Sequence, residues 1–69
     1  MDINKVKQEL DQNINDIQQA NNNTLNVTYV DVAGHFQKKE ISLEMQDYTG
    51  REDELTALIN KEINPQNRV

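Results

Sequence analysis

A run of apolar residues at helical spacing opens the chain and does most to restrict its fold. These residues recur every three or four positions: Ile3, Val6, Leu10, Ile14 and Ile17. On a helix with about 100° per residue, their side chains fall within about 80° of one another. No Gly or Pro occurs between Ile3 and Gln19, and Asp2 is a suitable N-cap. The sequence therefore predicts an amphipathic helix from about Ile3 to Gln19, with a narrow apolar stripe that lies against another surface.

Two strands and a tight turn are predicted in the middle of the chain. The Asn-rich segment 20–24 favours a loop, because Asn tolerates turn conformations and competes for backbone hydrogen bonds. Apolar and polar residues then alternate in segments 25–32 and 35–45, as they do in half-buried strands. Between them, segment 32–34 predicts a three-residue hairpin loop in which Gly34 takes the left-handed conformation.

The alternation in both predicted strands changes phase. Val30 and Val32 are out of phase with the apolar residues up to Tyr29, which indicates either a bulge near Tyr29 or burial of both faces. Phe36 is out of phase with Ile41 in the same way. A second irregularity is therefore predicted near residues 38–39.

A second helix is predicted after residue 49. Thr49 and Glu52 fit a capping box, in which Thr49 is the N-cap. Pro65 should end the helix, leaving a tail at 65–69. The predicted apolar face consists of Leu55, Leu58, Ile59 and Ile63.

These elements predict a single small α+β domain over residues 1–69, with an ordered core of about 2–64. The order is α-β-β-α, with an antiparallel β-hairpin packed against two amphipathic helices. A domain of this size buries too little surface to be more than marginally stable. The chain has no Cys for a disulfide and one His, so a structural metal site is not expected. Pairing with a second copy is the remaining common source of stability, and we expect a homodimer.

Charge and hydropathy exclude several classes of function. The net charge of −5 disfavours direct binding to nucleic acid. The sequence contains neither an apolar run long enough to cross a membrane nor a basic segment followed by an apolar one, as in a signal peptide. We therefore expect no membrane contact and a cytoplasmic location.

Reactive side chains do not form a recognisable catalytic pattern. His35 lies beside the predicted turn, where Asp31 could face it, but a catalytic His also needs a nucleophile or a substrate to act on. A role in the turn or in contact with a partner is the favoured interpretation of His35. We predict that the chain is not an enzyme and assign it no catalytic, cofactor-binding or metal-binding residue.

The function predicted from these features is a non-enzymatic protein–protein interaction or regulatory module with an unknown protein partner. The alternative is an acidic inhibitor of the kind that phages and mobile elements encode, which mimics the charge of nucleic acid. That alternative rests on segment 40–54, which holds six acidic residues and one basic residue. The candidate partner-binding residues are Ile3, Val6, Leu10, Ile14, Ile17, Glu52, Asp53 and Glu54.

Overall fold

Three antiparallel strands and two helices make up the fold, in the order α-β-β-β-α. The computed structural model describes residues 2–65, so part of the predicted tail, 66–69, lies outside the described residues. The elements are α1 (Ile3–Gln8), β1 (Ile14–Asn21), β2 (Thr24–Val30), β3 (Phe36–Ser42), a 3-10 turn (Met45–Tyr48) and α2 (Glu52–Ile63). The strands lie in the order β1-β2-β3. The α+β class is thus confirmed, whereas the predicted number of strands, two, is wrong.

The long first helix is the largest error of the sequence-based prediction. α1 ends at Gln8, and the residues Ile14 and Ile17 belong to β1. Asn15 is an extra residue in that strand, because Ile14 pairs with Tyr29 while Asp16 already pairs with Thr28, the neighbour of Tyr29 in β2. This bulge places Ile14 and Ile17 on the same face although they are three positions apart. Their helical spacing was therefore produced by an irregular strand.

The predicted loop at 20–24 shrinks to the two residues Asn22 and Asn23. Asn21 pairs with Thr24 across the turn, so the flanks of the predicted loop are strand residues. The side-chain oxygen of Asn21 accepts a hydrogen bond from the backbone N–H of Asn23 at 3.0 Å. The predicted turn is therefore present, but it is shorter than the predicted loop.

The hairpin between β2 and β3 agrees with the prediction. Gly34 has φ 83° and donates its N–H to the carbonyl of Asp31 at 3.0 Å. This is the left-handed position that a three-residue loop requires, and glycine occupies it without steric cost.

The pairing of β2 with β3 is regular from Thr24–Ser42 to Val30–Phe36. The predicted irregularity near residues 38–39 and the alternative of a bulge in β2 near Tyr29 are therefore wrong, and the bulge opposite Tyr29 is in β1, at Asn15. Regular alternation puts Val30 and Phe36 on the sheet face opposite to the core. We call this face the open face.

Both helices contribute to the core on the other face of the sheet. Leu25 and Val27 of the central strand have no exposed surface, and neither do Val6 of α1 and Leu55 of α2. The complete set of buried apolar residues is Val6, Ile14, Ile17, Leu25, Val27, Ile41, Met45, Leu55, Ile59 and Ile63. The core thus joins every strand to both helices.

The predicted capping box of α2 is not formed. The helix begins at Glu52 with Arg51 as its N-cap, and no side chain caps it. Thr49 is separated from the helix by Gly50, whose φ is 78°. The acidic first turn and the end of the helix before Pro65 agree with the sequence, since α2 ends at Ile63.

Candidate functional site

The apolar residues predicted to contact a partner pack mainly against other residues of the same chain. Val6, Ile14 and Ile17 are buried in the core, and Ile3 and Leu10 are half-buried against it. The structure brings these five residues together on the helix-covered face, although only two of them lie in a helix. Contact between this set and another protein stays a prediction.

The three acidic residues at the start of α2 have different surroundings. Glu52 is buried, and its carboxylate accepts the N–H of Asp2 at 3.1 Å, which lowers the pKa of Glu52. Glu54 is exposed and pairs with Arg51, whose hydrogen bond lowers the pKa of Glu54. Asp53 is exposed on the surface of the helix. The structure therefore does not present the three charges as one equivalent group.

A row of buried polar residues on α2 holds the N-terminal segment. The Thr56 hydroxyl donates to the carbonyl of Val6 at 3.1 Å. The Asn60 amide donates to the carbonyl of Glu9 at 3.2 Å and accepts the N–H of Asp11 at 2.9 Å. These residues recur at every fourth position on one face of the helix. We call the row the polar ladder; it consists of Glu52, Thr56, Asn60 and Asn64.

The last member of the polar ladder forms an amide pair. Asn64 and Asn13 each donate to the side-chain oxygen of the other, at 2.9 and 3.0 Å. Asn13 also donates to the carbonyl of Val30, and Asn64 to the carboxylate of Asp11. Within residues 2–65, every buried side-chain nitrogen and oxygen has a hydrogen-bond partner. The polar ladder is therefore a structural device, and its four-residue spacing is the signal by which the sequence could have revealed it.

Exposed apolar side chains lie at the end of the β2–β3 hairpin. Val32 is 96% exposed and Phe36 is 71% exposed, and these are the large apolar residues classed as exposed within the described part of the chain. Val30 pairs with Phe36 across the two strands and is half-buried. We call Val30, Val32 and Phe36 the tip patch. The out-of-phase position of Phe36 in the sequence is the signal of this exposure, and regular pairing with β2 accounts for it without the predicted irregularity.

The loop that carries the tip patch is held by the carboxylate of Asp31. One oxygen accepts the N–H groups of Ala33 and His35 at 3.0 and 2.9 Å, and the other accepts the Gln37 side chain at 3.0 Å. The bond from His35 and that from Gln37 lower the pKa of Asp31. The carboxylate of Asp31 thus contacts the backbone N–H of His35, and this bond helps to fix the conformation of the loop.

Other surfaces offer less to a ligand. A shallow groove of about 350 Å³ between the two helices is lined by side chains of opposite charge, among them Lys5, Glu9 and Asp53. No group of three or more potential metal ligands occurs within residues 2–65. In the same part of the chain, no helix has the length and apolar character needed to cross a bilayer.

No family model, curated protein or solved structure matches the chain. Its function must therefore be argued from its own residues.

Proposed function

We propose that this chain is a non-enzymatic protein-interaction module that binds a protein partner through the tip patch. The observation that carries the proposal is the exposure of Phe36, an aromatic side chain on a regular strand that is 71% exposed. Aromatic side chains are enriched in protein interfaces and often supply most of the binding energy. Val30 pairs with Phe36 across the two strands, and Val32 is exposed in the adjoining loop.

The fixed loop supports the same proposal. Binding costs free energy when a flexible surface has to be ordered, and a preorganised loop lowers that cost. The three hydrogen bonds accepted by Asp31 hold the turn before any partner arrives. Gly34 supplies the left-handed residue that the turn requires. The backbone that carries the apolar side chains is therefore held in one conformation.

Affinity capture from extracts of the source cells tests this function. The bait is the whole chain, either unchanged or carrying Phe36→Ser or Val32→Ser. Gln18→Ser is the matched control, because Gln18 is also exposed on the open face, on β1. We expect a protein that binds the unchanged chain and the control but is lost with Phe36→Ser.

Calorimetry with the purified partner should then show at least about tenfold weaker binding for Phe36→Ser. Circular dichroism should show unchanged folding, since both substituted side chains are exposed. A partner that binds all four chains equally would contradict the proposal.

The acidic-inhibitor alternative receives less support from the geometry. Glu52 is buried and bound to the N-terminal backbone, and Glu54 is paired with Arg51. Both carboxylates are thus already engaged within the chain. Under that alternative, binding would survive Phe36→Ser and be lost on replacing Asp53 and Glu54 with Asn and Gln.

A further inference from the structure

Within residues 2–65, the backbone groups on the outer edge of β3 have no strand partner, and they have a defined spacing. β3 pairs with β2 on one side only, because it is the last strand of the sheet. Asp31 donates its N–H to the carbonyl of His35, and Leu43 donates to the carbonyl of Asn23. Odd-numbered residues therefore face β2 at both ends of the hairpin. By the alternation of an antiparallel pair, the N–H and C=O groups of Phe36, Lys38, Glu40 and Ser42 point away from β2.

We infer that this edge pairs with the β3 edge of a second copy of the chain, antiparallel, with the two-fold axis at Lys39. In this register Lys38 of each copy lies opposite Glu40 of the other. Phe36 likewise lies opposite Ser42. The outward-facing groups of the two strands then meet in about eight backbone hydrogen bonds. The product is a continuous six-stranded sheet.

Charge selects this register over its neighbours. Moving the two-fold axis by one residue toward the N-terminus would place Lys38 opposite Lys38, and moving it the other way would place Glu40 opposite Glu40. Like charges directly opposite on a sheet are destabilising, whereas opposite charges are stabilising. Three registers, centred on residues 38, 39 and 40, join the outward-facing groups. Among these three, the register centred on Lys39 places opposite charges across from each other at residues 38 and 40.

The side chain at the axis is already neutralised within its own copy. The Lys39 amine lies 3.5 Å from the carboxylate of Glu62 and donates to the carbonyl of the same residue at 3.3 Å. Two Lys39 residues facing each other across the axis therefore each keep a partner on α2. Lysines on an edge strand commonly prevent pairing with other chains. Here Glu62 of the same copy offsets the charge of Lys39, and Glu40 of the other copy offsets the charge of Lys38.

Charge reversal on β3 tests the dimer by sedimentation. At low salt we expect the unchanged chain to sediment as a dimer, and Lys38→Glu or Glu40→Lys to weaken association at least about tenfold. Mixing the two single variants should restore association, because each acidic strand then meets a basic one. The double variant Lys38→Glu, Glu40→Lys should also associate. Lys61→Glu and Glu9→Lys make the same charge changes at exposed positions on α2 and at the end of α1, and should leave the dimer intact.

A single cysteine tests the position of the axis, since the chain has none of its own. Lys39→Cys should form a disulfide between copies under mild oxidation, because residues facing each other in a non-hydrogen-bonded pair lie within disulfide distance. Lys38→Cys should not, because two residues 38 are displaced along the strands. A mass that stays near 8.0 kDa up to about 1 mM protein would overturn the inference. A dimer that ignores both charge reversals would overturn it too. The side chains of the tip patch form neither charge pair, so the dimer and the proposed function can fail separately.

Discussion

Replacing Asn60 with Ala tests the polar ladder most directly. The Asn60 side chain is 6% exposed and bonds two backbone groups of the N-terminal segment, at Glu9 and Asp11. Each lost partner of a buried polar group costs about 1–3 kcal/mol. Glu9 is exposed and Asp11 is half-buried, so water recovers part of that cost. Ala also gains roughly 0.6 kcal/mol in helix propensity. The expected loss in the free energy of unfolding is about 2 kcal/mol.

A loss of that size is a large fraction of the total free energy of unfolding. A domain of 69 residues is stable by roughly 3–10 kcal/mol, at about 0.05–0.15 kcal/mol per residue. The melting temperature should fall by about 10 °C. Thermal and urea unfolding followed by circular dichroism would measure both quantities. Lys61→Ala is the matched control, since Lys61 is the next residue of α2 and is exposed, and its effect should stay within about 0.5 kcal/mol.

Hydrogen exchange would show which part of the chain Asn60→Ala destabilises. In Asn60→Ala the amide of Asp11 should exchange at least about tenfold faster, because its acceptor is removed. The amide of Val27, in the central strand, should change by no more than the global loss of stability requires. Equal melting temperatures for Asn60→Ala and Lys61→Ala would refute the view that this amide secures the N-terminal segment.

Three further perturbations follow from the local structure. Gly34→Ala should lower stability by about 1 kcal/mol or more, because φ 83° is strained for any residue with a Cβ; an unchanged melting temperature would contradict this. Thr49→Ala should change stability by less than about 0.5 kcal/mol, since Thr49 does not cap α2, and a loss near 1 kcal/mol in urea unfolding would show that it does. The pKa values of Asp31 and Glu52 lie below their usual 3.8 and 4.5 in the folded chain, so the stability that these groups contribute is present at neutral pH and is lost as the pH falls below those usual values and through the lowered ones. Glu52→Gln should therefore flatten the fall of the melting temperature across that range, and an equally steep fall would argue against the bond to Asp2.

The sequence predicted those elements whose signals are local. The hairpin loop was located because Gly34 and the alternating residues around it act within a few positions. The position of α2 was found from its apolar spacing and from Pro65. β1 was missed because the bulge at Asn15 gives Ile14 and Ile17 the spacing of a helix, and only pairing with β2 distinguishes the two structures.

The candidate site was less accessible from sequence for a similar reason. Phe36 has the phase of the open face, but sequence alone favours burying an aromatic residue, so we expected the strand to be irregular. Regular pairing with β2 is what leaves it exposed. The four-residue spacing of the polar ladder marks one helix face, but it does not say what that face contacts, because the partners of Thr56 and Asn60 lie about fifty residues away along the chain. No short-range pattern can identify such partners.

The polar ladder also limits how early the segment before β1 can make its native hydrogen bonds during synthesis. The three strands are joined by short turns, so the sheet can form from neighbouring segments at little entropic cost. The bonds from Asn60 and Asn64 to the N-terminal segment instead close loops of 49 to 53 residues. During synthesis the segment before β1 leaves the ribosome before the strands, but its bonds to Asn60 and Asn64 can form only after those two residues have followed. A nascent chain that stops short of Glu52 would contain all three strands but none of the ladder side chains that bond the segment before β1.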